Sequence, residues 1–285
     1  MIRQSAAGTL PDQPVITIDA VQRWVPLDLR EIWTHRELLA FLTWRDITVR
    51  YKQTLLGALW AMLQPLLTTV IFVAFFGRLP ALSGLPGGVP YPLFAYAGLL
   101  LWTFFANAVV TSGNSLTNNA HVISKVYFPR VLIPAAAVTA AVVDFLVAST
   151  LLVVLCIYYG VAPTPHLLFL PVVVALMVLL AFSIGLWMAA LNVRYRDVRH
   201  ALPFVVQLLL FVSAVIYPSS ALSGEVRILL TLNPIATFIE AFRACLFHTA
   251  FAWTDLGIAT ATTLLLGIIA AYSFQRLEGT FGDVI

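Results

Sequence analysis

Charged side chains are scarce in this sequence. Asp, Glu, Lys and Arg make up 10% of its 285 residues, against roughly 25% in an average soluble domain. A water-facing surface needs more charge than that, so a soluble globular fold is excluded. A disordered chain, which is polar and highly charged, is excluded too. Cysteine occurs twice, as Cys156 and Cys245, both in apolar runs and without a CxxC pair or Cys/His cluster. Neither a disulfide framework nor a zinc site is indicated. Lysine also occurs twice, as Lys52 and Lys125, and neither follows a glycine. The phosphate-binding GxxxxGK[ST] loop is therefore missing, and the chain does not hydrolyse ATP by that route. The histidines His35, His121, His166, His200 and His248 show no HExxH spacing, and no GxSxG turn is present. Metal ligation and serine hydrolysis find no residues here. A net charge of +3 is too mild for a nucleic-acid binder. The first 30 residues show no apolar core ahead of a small-residue cleavage site, so no cleaved signal peptide is expected.

What is present is hydrophobic: 61% of the residues. A helix needs about 20 apolar residues to cross a hydrocarbon core of roughly 30 Å. Six stretches qualify, at 55–76, 92–111, 131–159, 167–191, 201–217 and 256–275. All but the third are uncharged, and the third contains only Asp144. They lack period-2 alternation and so read as helices, not strands of a membrane barrel. The expected fold is all-α with six transmembrane helices. Its parts are a cytoplasmic segment 1–52, a membrane domain 53–276 and a tail 277–285.

Basic residues set the orientation. Seven precede the first span: Arg3, Arg23, Arg30, Arg36, Arg45, Arg50 and Lys52. Lys125 and Arg130 lie between spans two and three, Arg194, Arg196 and Arg199 between four and five, and Arg276 in the tail. The opposite side has Arg78, Arg227 and Arg243. Positively charged loops stay in the cytoplasm, so both termini are expected there.

Three cytosolic elements stand out. Residues 27–46 form a weak amphipathic helix, expected to lie on the inner membrane surface; Arg36 interrupts its apolar face, and Leu38, Phe41 and Leu42 spoil its polar one. Residues 113–130 read as a polar loop, with 114–121 able to form a short docked helix. Residues 192–200 read as a charged turn in which Asp197 pairs with its arginines. On the opposite side, Pro234 opens a 14-residue apolar run, 234–247, too short to span. It suits a re-entrant or interfacial helix, with Asn233 as its cap.

Two features have competing explanations. Asp144 is the one ionisable group inside a span, a functional signal by default; its plainer role is a protonated or hydrogen-bonded side chain with a Ser, Thr or Tyr partner. Trp60, Trp187 and Trp253 fit interfacial belts, but Trp102 sits mid-span. With Tyr96, Phe104 and Phe105, and with Trp60, it could line a channel and stack on sugar rings, or it could pack between helices.

The motifs are specific. The run 45–57, RDITVRYKQTLLG, leads into Leu59-Trp60 and Gln64-Pro65. Tyr96-Ala97-Gly98, KVYFPR at 125–130, NVRYRD at 192–197, Tyr217-Pro218 and Asn233-Pro234 follow. This pattern, over about 28–275, resembles the membrane domain of ABC-2 type polysaccharide exporters. One departure is Ser213-Ala214, where the pattern has Thr-Pro; the end of span five is expected to be straighter for it.

The resemblance implies six spans and a homodimer working with two ATP-binding subunits. ATP and magnesium would sit on that partner, with no cofactor or metal in this chain and no nucleic acid bound. The cargo would be a polysaccharide such as O-antigen on undecaprenyl pyrophosphate, crossing the bacterial inner membrane among its lipids. Coupling to the partner would fall to Arg36, Arg45, Asn114, Asn118, His121, Lys125 and Arg130, beside the inner turn Arg194, Arg196, Asp197 and Arg199. The external gate would comprise Tyr217, Pro218, Asn233, Pro234, Glu240 and Arg243. Alternatives are export of capsule, teichoic acid, a drug or a lipid, an integral membrane lipid-sugar transferase, or a scaffold. The transferase would need paired acids or a metal motif at one membrane face, and none is seen.

Overall fold

A computed structural model describes residues 33–52, 54, 56–77, 85, 88–123, 125, 128–219 and 230–278. Among these residues there is no β-strand, and the helices run α1 (Arg36–Tyr51), α2 (Leu59–Phe76), α3 (Tyr91–Asn118), α4 (Ala120–Ile123), α5 (Leu132–Tyr158), α6 (Leu170–Arg194), α7 (Val198–Val212), α8 (Pro234–Phe247) and α9 (Trp253–Glu278). A 3-10 turn, Pro165–Phe169, runs into α6. Five helical segments are long and apolar enough to cross a membrane: Leu59–Phe76, Tyr91–Asn118, Leu132–Tyr158, Pro165–Arg194 and Trp253–Glu278. With few charges to solvate and every backbone group needing an internal partner in lipid, helices satisfy this sequence where open sheets would not.

The chain is a multi-pass bundle built around α3. That helix packs against α5 and α6, with α2, α7 and α8 adding to its cover, and α9 lies against α6. Leu93, Tyr96, Leu101 and Phe105 of α3 are fully enclosed. Lipid is as apolar as leucine, so helices join where small residues allow close approach. Gly185 of α6 does this: a Cβ there would come within 2.6 Å of Ser112 Oγ on α3. The buried Asn192 of α6 then donates to Gly113 O at 3.0 Å and Asn114 Oδ1 at 2.9 Å, fixing the same pair of helices at their basic end.

Four expectations change. The amino-terminal helix ends at Tyr51, beyond the expected 46, and residues 27–32 lie outside the described ones. It also packs against α5. Leu38, Leu39 and Leu42 pack into a cluster with Leu116, Phe128 and Leu132, and the helix end reaches Asp144 in the middle of α5. Phe41 and Trp44 of the helix, and Trp33 just before it, are exposed. The helix is thus apolar on two sides, one packed against protein and one exposed.

Residues 113–118 are not loop but the last turns of span two. Their polar side chains bond to their own helix: Asn114 to Val110 O at 2.9 Å, Ser115 to Ser112 O at 2.6 Å, Thr117 to Asn114 O at 2.9 Å. Asp197 makes no ion pair with Arg194, Arg196 or Arg199 among the described residues. Its backbone carbonyl instead starts α7, accepting from His200 and Ala201 at 3.0 Å each. Span five does not straighten. It stops at Val212, and Ala214 turns the chain in the left-handed region at φ 49°.

Candidate functional site

The first site lies where α2, α3 and α5 part. A cavity of about 350 Å³ opens there, lined by Arg50, Tyr51, Trp60, Gln64, Thr103, Phe104, Asn107, Thr111, Asp144 and Phe145 among others. Its floor is an ion pair. Arg50 Nη1 donates to Asp144 Oδ2, and the Tyr51 hydroxyl donates to Oδ1. The side chain of Asp144 is 15% exposed. A carboxylate so placed needs compensation, and two consecutive residues of α1 supply it. Tyrosine is one of the partners expected for Asp144; the arginine is not. Burial first, and the bond to Asp144 second, push the Tyr51 phenol from 10 up to about 12. It remains protonated, a donor, at any physiological pH.

The aromatic residues of the expected channel divide. Phe104 and Trp60 line the cavity. Tyr96, Trp102 and Phe105 are enclosed by neighbouring helices, Trp102 at 6% exposure. The Trp102 and Phe105 rings lie 5.7 Å apart, and the Tyr96 hydroxyl donates to Ala148 O at 3.0 Å.

The second site is at the far end of the bundle. Asn233 caps α8, its side chain accepting from the Ile235 N–H at 3.0 Å, and Pro234 opens the helix where its missing N–H costs nothing. Asn233 also donates to Ser213 Oγ at 3.0 Å, joining α8 to the end of α7. Arg243, 3% exposed, collects three backbone carbonyls: Phe94 of α3, and Ala214 and Val215 of the turn after α7. Its guanidinium lies 3.6 Å over the Phe94 ring. Gly98 makes the room, since a Cβ there would strike that guanidinium. Glu240 accepts from the Ser219 N–H at 2.9 Å, and the Tyr217 hydroxyl donates to Phe211 O at 2.9 Å. Pro218, Glu240 and Arg243 line a second cavity of about 310 Å³ with Thr237 and Asp255. Of the residues expected at the external gate, Pro218, Glu240 and Arg243 line this cavity, and Tyr217, Asn233 and Pro234 do not.

The third site is the basic end. Arg45 of α1 donates to Asp46 and to Asn119 Oδ1, both at 2.8 Å, which ties α1 to the corner between α3 and α4. Arg130 donates to Glu278 O at 2.6 Å, reaching the end of α9. Lys125 Nζ and His121 Nε2 are 3.1 Å apart. Asn118, His121, Lys125, Arg194, Arg196, Asp197 and Arg199 are exposed, and Arg36 stacks over Trp33 at 5.7 Å. Asn119 and Asn107 were not singled out from sequence, and Gln64 and Asn192 stood there only as motif residues, without a structural role. Asn192 had a signal: it is the first polar residue after a long apolar run, and there it faces a polar helix end.

Residues 37–247 match the ABC-2 type transporter family. The chain is similar to the O-antigen export system permease protein RfbA of Myxococcus xanthus, 29% identical over 260 residues, covering 90% of this chain and 98% of that one. A protein of the same description from Klebsiella pneumoniae is 27% identical over 250 residues, 87% of this chain and 95% of its own. The polysialic acid transport protein KpsM of Escherichia coli is 21% identical over 229 residues, 79% and 88% of the two chains.

Proposed function

We infer that this chain, which belongs to the ABC-2 type transporter family, is the membrane-spanning permease subunit of an exporter of O-antigen-type polysaccharide. It is a transporter component, not an enzyme. The observation that carries the cargo is the end-to-end likeness to O-antigen export permeases, 90% of this chain against 98% of the relative. The more distant likeness to a polysialic acid transporter makes capsule export the second reading.

In this proposal ATP and magnesium act on a partner ATPase, and the permease pairs with a second copy of itself. The exposed apolar faces of α2 (Leu67, Val70, Ile71) and α7 (Phe204, Leu208, Phe211) would meet lipid or that copy. The basic end faces the cytoplasm, with α7 completing six crossings of the bacterial inner membrane. There Arg45, Asn114, Asn118, His121, Lys125 and Arg130 receive the partner's push, with Arg36 and the turn Arg194, Arg196, Asp197 and Arg199 beside them. Arg243, Glu240 and Asn233, with Tyr217, Pro218 and Pro234, form the external gate. Phe104 and Trp60 offer flat faces to sugar rings, whereas Trp102, Tyr96 and Phe105 pack inside the bundle away from the cavity lining. The cargo is polysaccharide on undecaprenyl pyrophosphate.

The test is complementation. The chain, expressed with its ATPase in a strain deleted for its own O-antigen permease, should restore surface O-antigen on lipopolysaccharide gels. Restoration of capsule alone, in a strain lacking a capsule permease, would move the cargo to the second reading. Restoration of neither would overturn the proposal.

A further inference from the structure

The ion pair in the first cavity has a consequence for loading. A volume of about 350 Å³ lies within the range of small-ligand sites, roughly 300–1,000 Å³. Its wall carries amides and hydroxyls, Gln64, Asn107 and Thr103, beside the aromatic faces of Trp60 and Phe104. That mixture suits a hydroxyl-rich headgroup. The charge in it is unusual. Arg50 has five N–H donors in a planar fork; Nη1 donates to Asp144, and the guanidinium also interacts with the neighbouring Tyr51 hydroxyl. The Arg50 side chain is 32% exposed, twice the figure for Asp144. A diphosphate has more charge than a carboxylate and matches the fork at two points, so it competes directly with Asp144 for the arginine.

We propose that this cavity binds the diphosphate-bearing headgroup of a lipid-linked saccharide, and that Arg50 exchanges Asp144 for the phosphate on binding. Arg50 sits at the end of α1, and its bond to Asp144 is one of the ties holding α1 to α5. Exchange releases that tie. The same helix is bonded through Arg45 to Asn119, at the corner between α3 and α4, so an occupied cavity is reported to the basic end. This inference rests on the export reading for the identity of the headgroup.

The test uses the permease–ATPase complex in nanodiscs, without ATP, and measures the affinity of radiolabelled undecaprenyl diphosphate. Asp144→Asn removes the competitor and should bind about tenfold more tightly. Arg50→Gln should bind at least tenfold more weakly. A purely structural ion pair would make both variants weaker by similar factors, which would overturn the proposal. The double variant Arg50→Gln/Asp144→Asn leaves no unpaired charge and guards against misfolding of the singles. It should bind as weakly as Arg50→Gln, and wild-type affinity there would also overturn the proposal. Competition with inorganic pyrophosphate separates the sources: displacement means that the diphosphate suffices, and no displacement means that the lipid is required. Surface O-antigen is scored separately. Unchanged affinities in a wild type that exports would sink this inference alone; the expected affinities in a wild type that does not export would sink the export reading alone.

Discussion

Arg243 shows at the scale of one residue how a charge can stabilise irregular backbone. The turn after α7 leaves the carbonyls of Ala214 and Val215 without helical partners, and the Arg243 guanidinium takes both together with that of Phe94. A buried polar group stripped of its partner costs about 1–3 kcal/mol. Arg243→Ala should therefore lower the melting temperature of the purified permease by several degrees, and Arg243→Lys, with a charge but no fork, by less. A thermal-shift series showing no loss for either would remove Arg243 from this role. Ala214, at φ 49°, is strained in a way glycine would not be. Ala214→Gly should leave stability unchanged or raise it by about 1 kcal/mol, whereas Ala214→Val should lower it in the same assay.

Tyr51 adds a pH dependence. Its phenol is raised to about 12 in the fold against 10 ordinarily, so its stabilising effect is whole below pH 10 and lost as pH rises from 10 to 12. The melting-temperature difference between the wild type and Tyr51→Phe should stay constant from pH 6 to 9 and shrink above 10. Little of this residue-scale detail was legible in the sequence. An acid inside a span calls for a partner, but pattern alone does not say that the partner is Arg50, 94 positions away. Trp102 could be seen to lie mid-span but not that it is enclosed, because enclosure depends on which face of α3 meets α5 and α6.

Elements were more legible than residues. Long apolar runs with Pro at their starts place α3, α6 and α8 well, since proline's missing N–H is harmless in a first turn. Polar residues misled where they satisfy themselves inside a helix, as Asn114, Ser115 and Thr117 do. The departure at Ser213-Ala214 misled in the other direction. Without proline the helix could continue, yet Asn233 and Arg243 hold the chain in a turn, and both come from a distant segment.

In the coupling scheme proposed above, the short helix α4 is the element to test. It follows Asn119, which bonds Arg45, and its first bond runs from the Val122 N–H to Asn119 O at 2.9 Å. Proline at His121 would sit in the first turn, where it is tolerated. Proline at Val122 would delete that bond. Val122→Pro should abolish export while insertion and the partner's basal ATPase activity persist. Export at the wild-type level from this variant would move the coupling role to α1 or to the turn 194–200.

At the scale of the molecule, orientation and energy source are the claims to check. If the six expected spans alternate across the bilayer, thirteen basic residues fall on one side and three on the other, and the proposed orientation puts the basic end in the cytoplasm. In a background with Cys156 and Cys245 replaced by alanine, Ala162→Cys in the exposed loop before α6 should react with an impermeant maleimide on intact cells. Asn118→Cys should react only after permeabilisation, and the reverse pattern would invert every assignment of sides.

The most direct measurement is transport itself. The permease and its ATPase are reconstituted in proteoliposomes with a short O-antigen oligosaccharide on undecaprenyl diphosphate in the leaflet facing the ATPase. ATP should move the saccharide to the opposite leaflet, where an added glycosidase removes it. A catalytically dead ATPase, or liposomes lacking this chain, should leave it protected. Equal movement without ATP or without this chain would contradict the assignment of the protein as an ATP-driven export permease.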